Sequence, residues 1–172
     1  MSYDKVLNEL GAESMSFERN QSRNGLQDGS EISEDLKELL KKFQTAIVFS
    51  NGAKFKTPTK IPAADNNGFV YLDIIYGLTP DANNIYYKNE IHSKQIDGEL
   101  YTFGESGGGD QFCISKKTGK VYYWLHEAKD DASSLFLISP SFTEFLEHLA
   151  PDNDEDNSKD DDDGIVSVEF NF

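Results

Sequence analysis

Apolar residues recur at helical spacing in two stretches of the chain. In "SEDLKELLKKF" (33–43), Leu36, Leu39, Leu40 and Phe43 form one stripe. Ser33 stands at the N-cap, acids crowd the first turn, and Lys41 and Lys42 occupy the last. In "SFTEFLEHLA" (141–150), Phe142, Phe145, Leu146 and Leu149 form the stripe, and Ser141 with Glu144 has the spacing of a capping box. A shorter helix is expected over residues 2–10, with Val6, Leu7 and Leu10 on one side.

Elsewhere the period is two. "TAIVF" followed by "SNGAKF" reads as a strand, an Asn51-Gly52 turn and a returning strand. "GFVYLDIIYGL" (68–78) reads as a strand with Val70, Leu72, Ile74 and Tyr76 on one face, and "IYYKNE" as another short strand after a turn. "DQFCIS" and "KVYYWLH" flank the connection "KKTG", which predicts a hairpin with Gly119 closing the turn. On its second strand Val121, Tyr123 and Leu125 point one way, and Tyr122, Trp124 and His126 the other. Strands at hairpin spacing with flanking helices predict an α+β class: a single domain, with a largely antiparallel sheet. That domain is expected over 1–150, with a polar, loop-like insertion at 11–30. Residues 151–164 read as an acidic linker, and the alternation of Val166, Val168, Phe170 and Phe172 predicts a last strand over 165–172.

Charge narrows the partners. The net charge is −15, and residues 151–172, with nine acids and one lysine, account for −8 of it, leaving −7 on residues 1–150. The body is acidic without its tail, so direct nucleic-acid binding is not expected; a basic protein partner is electrostatically reasonable, and an acidic surface that serves solubility alone has the same charge. No apolar run reaches membrane-span length, no basic segment followed by an apolar stretch opens the chain, and the single cysteine, Cys113, has no disulfide partner within it. These features predict a cytoplasmic protein.

Candidate chemistry is sparse. "FGESGGGDQF" (103–112) holds Gly104 and Gly109 at the spacing that opens a phosphate loop, but Asp110 stands where such a loop has lysine, and a strand follows instead of a helix. His92, His126 and His148 are scattered, and Ser106 lies in no nucleophile elbow. Asp152, Asp154, Asp156, Ser158, Asp160 and Asp163 match the ligand positions of a calcium loop, but Asp replaces the closing Glu and Asn157 the central glycine. The Asp run is therefore read as a solvated linker. No enzyme, cofactor or metal site is expected.

The segment "ELYTFGESGGGDQFCISKKTGKVYYWLHEA" (99–128) resembles the signature of the SUKH superfamily, which includes yeast cell-wall-synthesis regulators. Phe103, Gly104, Gly108, Gly109, Asp110, Phe112, Ile114, Gly119, Val121, Tyr123, Trp124 and His126 carry the resemblance. "SFTEFLEHL" is similar to the family's closing helix, and the likeness extends loosely over 36–149. It implies an α+β fold without catalytic residues, and either an immunity protein that neutralises a toxin, often a nuclease, or a protein-binding regulator. Gly104, Gly108, Gly109 and Gly119 are expected to shape turns. Glu105, Asp110, Tyr122, Trp124, His126 and Glu127 are the candidates for a partner surface, and for Trp124 and Asp110 the competing expectation is a place in the core and a cap on the turn.

Overall fold

A computed structural model describes residues 2–15 and 32–152. The acidic linker, the calcium-like spacing beyond Asp152 and the predicted strand over 165–172 lie outside the described residues, as does most of the 11–30 insertion.

Among the described residues four helices, α1 (Asp4–Glu9), α2 (Glu34–Phe43), α3 (Ile85–His92) and α4 (Phe142–Glu147), accompany nine strands. The strands are β1 (Ala12–Ser14), β2 (Ile47–Phe49), β3 (Lys54–Lys56), β4 (Phe69–Tyr71), β5 (Ile74–Ile75), β6 (Leu100–Glu105), β7 (Gln111–Ser115), β8 (Val121–Trp124) and β9 (Leu135–Ser139). Seven of them form one sheet in the order β1-β2-β5-β6-β7-β8-β9, and β3 and β4 form a separate pair. Every ladder is antiparallel. This is the α+β class with a largely antiparallel sheet that the sequence predicts.

The helical stripes bury as their spacing requires. Leu36, Leu39 and Leu40 of α2 and Phe142, Phe145 and Leu146 of α4 meet the sheet residues Phe103, Phe112 and Tyr123 in one core. Phe103 packs edge-on to Phe142 and Phe145, with ring centroids 5.2 and 5.6 Å apart, a geometry favoured by the ring quadrupoles. The Ser141 hydroxyl accepts from the Glu144 amide at 3.1 Å, so the cap of α4 forms. Ser33 sits at the N-cap of α2 but its hydroxyl accepts no cap bond, and its amide donates to the Tyr101 hydroxyl instead.

Four expectations are corrected. The insertion begins with a strand, because Ala12–Ser14 pairs with β2. The Asn51-Gly52 turn does not return into a β2–β3 hairpin: Ser50 and Asn51 donate backbone bonds to Gly11 and Leu10, while β3 pairs with β4. Residues 68–78 divide between two sheets, with Val70 in the small one and Ile74 in the large. "IYYKNE" is helical, since the Asn84 side chain accepts from the amides of Tyr86 and Tyr87 and starts α3 despite the aromatic content. Strand β9, an apolar run ahead of α4, has no counterpart in the elements read from the sequence.

Candidate functional site

The glycine segment lies where β6 turns into β7. Gly107–Gly109 make a 3-10 turn in which Gly108 and Gly109 take φ of 81° and 93°, left-handed values that an L side chain resists. Gly104, on β6 itself, answers a different need: a Cβ there would come within 2.6 Å of the Ile74 carbonyl oxygen on β5. The close pairing of β5 with β6 therefore requires glycine at this position.

Asp110 follows the turn and faces inward, 9% exposed. Its Oδ2 accepts from the Tyr123 hydroxyl at 2.7 Å and its Oδ1 from the His126 amide at 2.8 Å, while the Ser106 amide donates to its carbonyl at 2.9 Å. One carboxylate thus ties the turn to β8 and to the chain leaving β8. Burial, more than the neighbouring carboxylate, pushes the Tyr123 hydroxyl well above its usual range, so it remains a donor at every relevant pH.

A second polar group flanks it. The Tyr76 hydroxyl lies 2.7 Å from Gln111 Oε1 and 2.9 Å from Glu105 Oε2, and Thr102 Oγ1 donates to the same Gln111 oxygen at 2.7 Å. Lys88 Nζ stands 3.5 Å from Glu105 Oε2 and over the Tyr76 ring. Burial, then the charge of Glu105, raises the Tyr76 hydroxyl; the same two causes in the same order raise the Asp73 carboxyl.

The six candidate partner residues do not share one exposure. Trp124 is buried with Ile96 and Cys113 on the sheet face opposite the main core. Its indole is flanked edge-on by His92 and His126, at centroid distances of 5.8 and 5.7 Å. Tyr122 and Glu105 are half-buried, Asp110 is buried, and His126 and Glu127 are exposed. Cys113 is fully buried, and burial pushes its thiol far above the range in which thiolate forms. Gly119 closes the β7–β8 turn with φ of 72°.

Register places charge at the two ends of the sheet. Ile74, Glu105, Gln111, Trp124 and Leu135 form a row across five strands. Toward that end lie Asp73, Glu105, Asp110, Glu127, Asp130 and Asp131, against Lys88, Lys129 and Lys94, which lines a cavity with Trp124 and Asp131. The opposite, β7–β8 end carries Lys116, Lys117 and Lys120. Asp73, Asp130 and Asp131 are absent from the sequence candidates. The signal for the last two was the acid pair in "EAKDDASS"; Asp73 needed the β5–β6 pairing to be placed there. Among the described residues no group of three His, Cys, Asp or Glu side chains converges as a metal site, and no helix is long and apolar enough to cross a membrane.

The structure is an antiparallel α+β domain whose glycine turn is fixed by the buried Asp110 carboxylate, with charged side chains displayed at the sheet ends. The SMI1 / KNR4 family (SUKH-1) model matches residues 27–148, and the chain belongs to this family, which includes toxin-immunity proteins. The chain is 26% identical over 151 residues to the SPbeta prophage-derived uncharacterized protein YokK of Bacillus subtilis (strain 168), a match covering 83% of this chain and 78% of that protein. No solved structure matches it.

Proposed function

We propose that the protein is a non-enzymatic immunity protein of the cytoplasm that binds a basic toxin domain, a nuclease, and blocks it. Family membership over 27–148 carries this reading. The acidic sheet end supports it, because a nuclease must be basic where it holds phosphates, and an acidic surface is steered to that region. The prophage origin of the Bacillus subtilis relative fits a protein carried on a mobile element.

Asp73, Glu127, Asp130 and Asp131 are exposed at that end and form the steering rim. His126 and the half-buried Tyr122 offer packing surface, and buried Trp124 holds His126 in place from behind. Asp110 acts through the turn it fixes.

The test is co-expression with the product of the neighbouring gene. Growth arrest by that product alone, relieved when this protein is present and accompanied by a purifiable complex, is the expected result. If no neighbour is toxic, or arrest persists with this protein abundant, the immunity reading fails and that of a protein-binding regulator replaces it.

A further inference from the structure

Strand β9 ends the sheet order, so among the described residues one of its edges has no strand beside it. Such an edge presents a row of unpaired backbone donors and acceptors. The opposite edge strand, β1, is only three residues long and polar apart from Ala12. β9 is five residues of mostly apolar sequence, "LFLIS", with Leu137 45% exposed. Alongside it runs an open groove of about 640 Å³, walled by Pro58, Thr59, Phe136, Leu137, Ile138 and Pro140. Phe136 packs against the main core and Ile138 is part of it, so the groove continues the core to the surface.

The chain itself carries a segment of matching chemistry. In "IVSVEFNF" (165–172), Val166, Val168, Phe170 and Phe172 alternate with Ser167, Glu169 and Asn171. That is the pattern of a strand with one face against an apolar surface and the other in water. Reach also fits. The Asp152 amide donates to the Asn51 carbonyl at 2.9 Å, and its carboxylate lies 3.6 Å from Lys54 Nζ. Lys54 opens β3, and Pro58 of the groove wall is four residues further along, at most about 14 Å of chain. The twelve residues 153–164 span up to roughly 40 Å when extended. They hold seven acids and one lysine, and Lys120 lines the groove while exposed Lys60 follows Thr59. The tether is therefore long enough and opposite in charge to the surface it would cross.

We propose that residues 165–172 add to the free edge of β9 as a further strand of the sheet, with Val166, Val168, Phe170 and Phe172 filling the groove. The edge is then covered from within the same chain, and the acidic tether lies across the lysines. The arrangement stands apart from the toxin-binding reading and does not depend on it.

The test compares the full chain with its Val168→Asp/Phe170→Asp variant, whose changes leave every described residue as it is. Amide exchange is read residue by residue over 135–139. In the full chain the alternate β9 amides that point away from β8 exchange slowly. In the variant they exchange about tenfold faster or more, a loss of one sheet neighbour, while β7 and β8 amides keep their rates. Adding a peptide of sequence IVSVEFNF to the variant slows them again, and in the full chain nuclear Overhauser contacts join the Phe170 ring to the Ile138 methyls. Equal β9 exchange in both chains overturns the proposal. So does protection that rises with protein concentration together with dimer in sedimentation, which would make a second copy the occupant.

Discussion

The two turns that bound β7 are built in opposite ways. At its start, the Gly107–Gly109 turn is held by distant residues: Asp110 reaches Tyr123 and the His126 amide, thirteen and sixteen positions away. At its end, the "KKTG" turn is held mainly within itself, by the Gly119 amide on the Ser115 carbonyl at 2.9 Å and the Thr118 amide on the Ser115 hydroxyl at 3.2 Å. Its distant partner, Glu99, meets the Lys116 amide at 2.8 Å and exposed Lys117 at 3.5 Å. The first turn is exposed at Gly107 and Gly108 but anchored on buried Ser106 and Asp110, whereas the second is exposed and carries Lys116, Lys117 and Lys120. The difference teaches where the fold is sensitive. A turn fastened by remote partners joins the cooperative core, while a self-contained turn can change with little consequence beyond itself.

The contrast breaks first on Asp110. Asp110→Ala removes two hydrogen bonds to a carboxylate, which costs roughly 2–4 kcal/mol, whereas exposed Lys117→Ala costs under about 0.5 kcal/mol. Urea midpoints at unchanged m-value measure both, and equal shifts would erase the distinction. Next comes Gly104→Ala, whose Cβ would press on the Ile74 carbonyl: overpacking by a backbone contact costs about 1–3 kcal/mol. Gly119→Ala, where only the left-handed backbone resists, costs about 1 kcal/mol.

Binding sharpens the comparison at a smaller scale. Converting Glu127, Asp130 and Asp131 to lysine lowers the association rate with a basic partner by about tenfold at low salt. Converting Lys116, Lys117 and Lys120 to glutamine does not slow it. Stopped-flow rates across ionic strength check this, since the gap closes as the Debye length shrinks below about 8 Å.

The smallest effect is a titration. Burial, ahead of other causes, holds the His92 imidazole below its usual range. The unfolded chain then binds more protons than the folded one, so stability rises with pH through this window and is lost as pH falls below about 6.5. His92→Gln flattens that slope in urea titrations between about pH 5 and 7, whereas the lysine-rich turn contributes none. Asp73 tilts the other way: its raised carboxyl favours the folded state in acid, and that contribution is lost as pH rises through the carboxylate range.

What could be read from the sequence follows the same division between local and remote causes. α2, α4 and the β7–β8 hairpin declare themselves through spacing and caps within a dozen residues. α3 did not, because Ile85, Tyr86 and Tyr87 favour strands by composition while the deciding bonds come from a single Asn84 oxygen. The partner of β3 was set by Leu10 and Gly11 occupying the backbone after β2, forty residues away in sequence and without periodic signal. At the candidate site, the glycines and Asp110 could be picked out as turn chemistry. The inward aim of that carboxylate, and the convergence of Tyr76, Thr102, Gln111 and Lys88 beside it, depend on β5 to β8 being in register and on α3 lying against them. Trp124 alternated correctly with Tyr123, but that it fills a second, smaller cluster follows only once α3 is known to be a helix leading to Ile96.

The chain has one tryptophan, and it stands between two imidazoles. Intrinsic indole fluorescence therefore reports a single place in the molecule, without label or substitution. A protonated imidazole at ring contact quenches an excited indole by accepting its electron. Emission should fall on acidification as His92, held below its usual range by burial, takes up its proton, and His92→Gln should remove that response. A partner seated at the acidic sheet end would displace water from His126 and move the same signal, giving a binding isotherm from the unmodified protein.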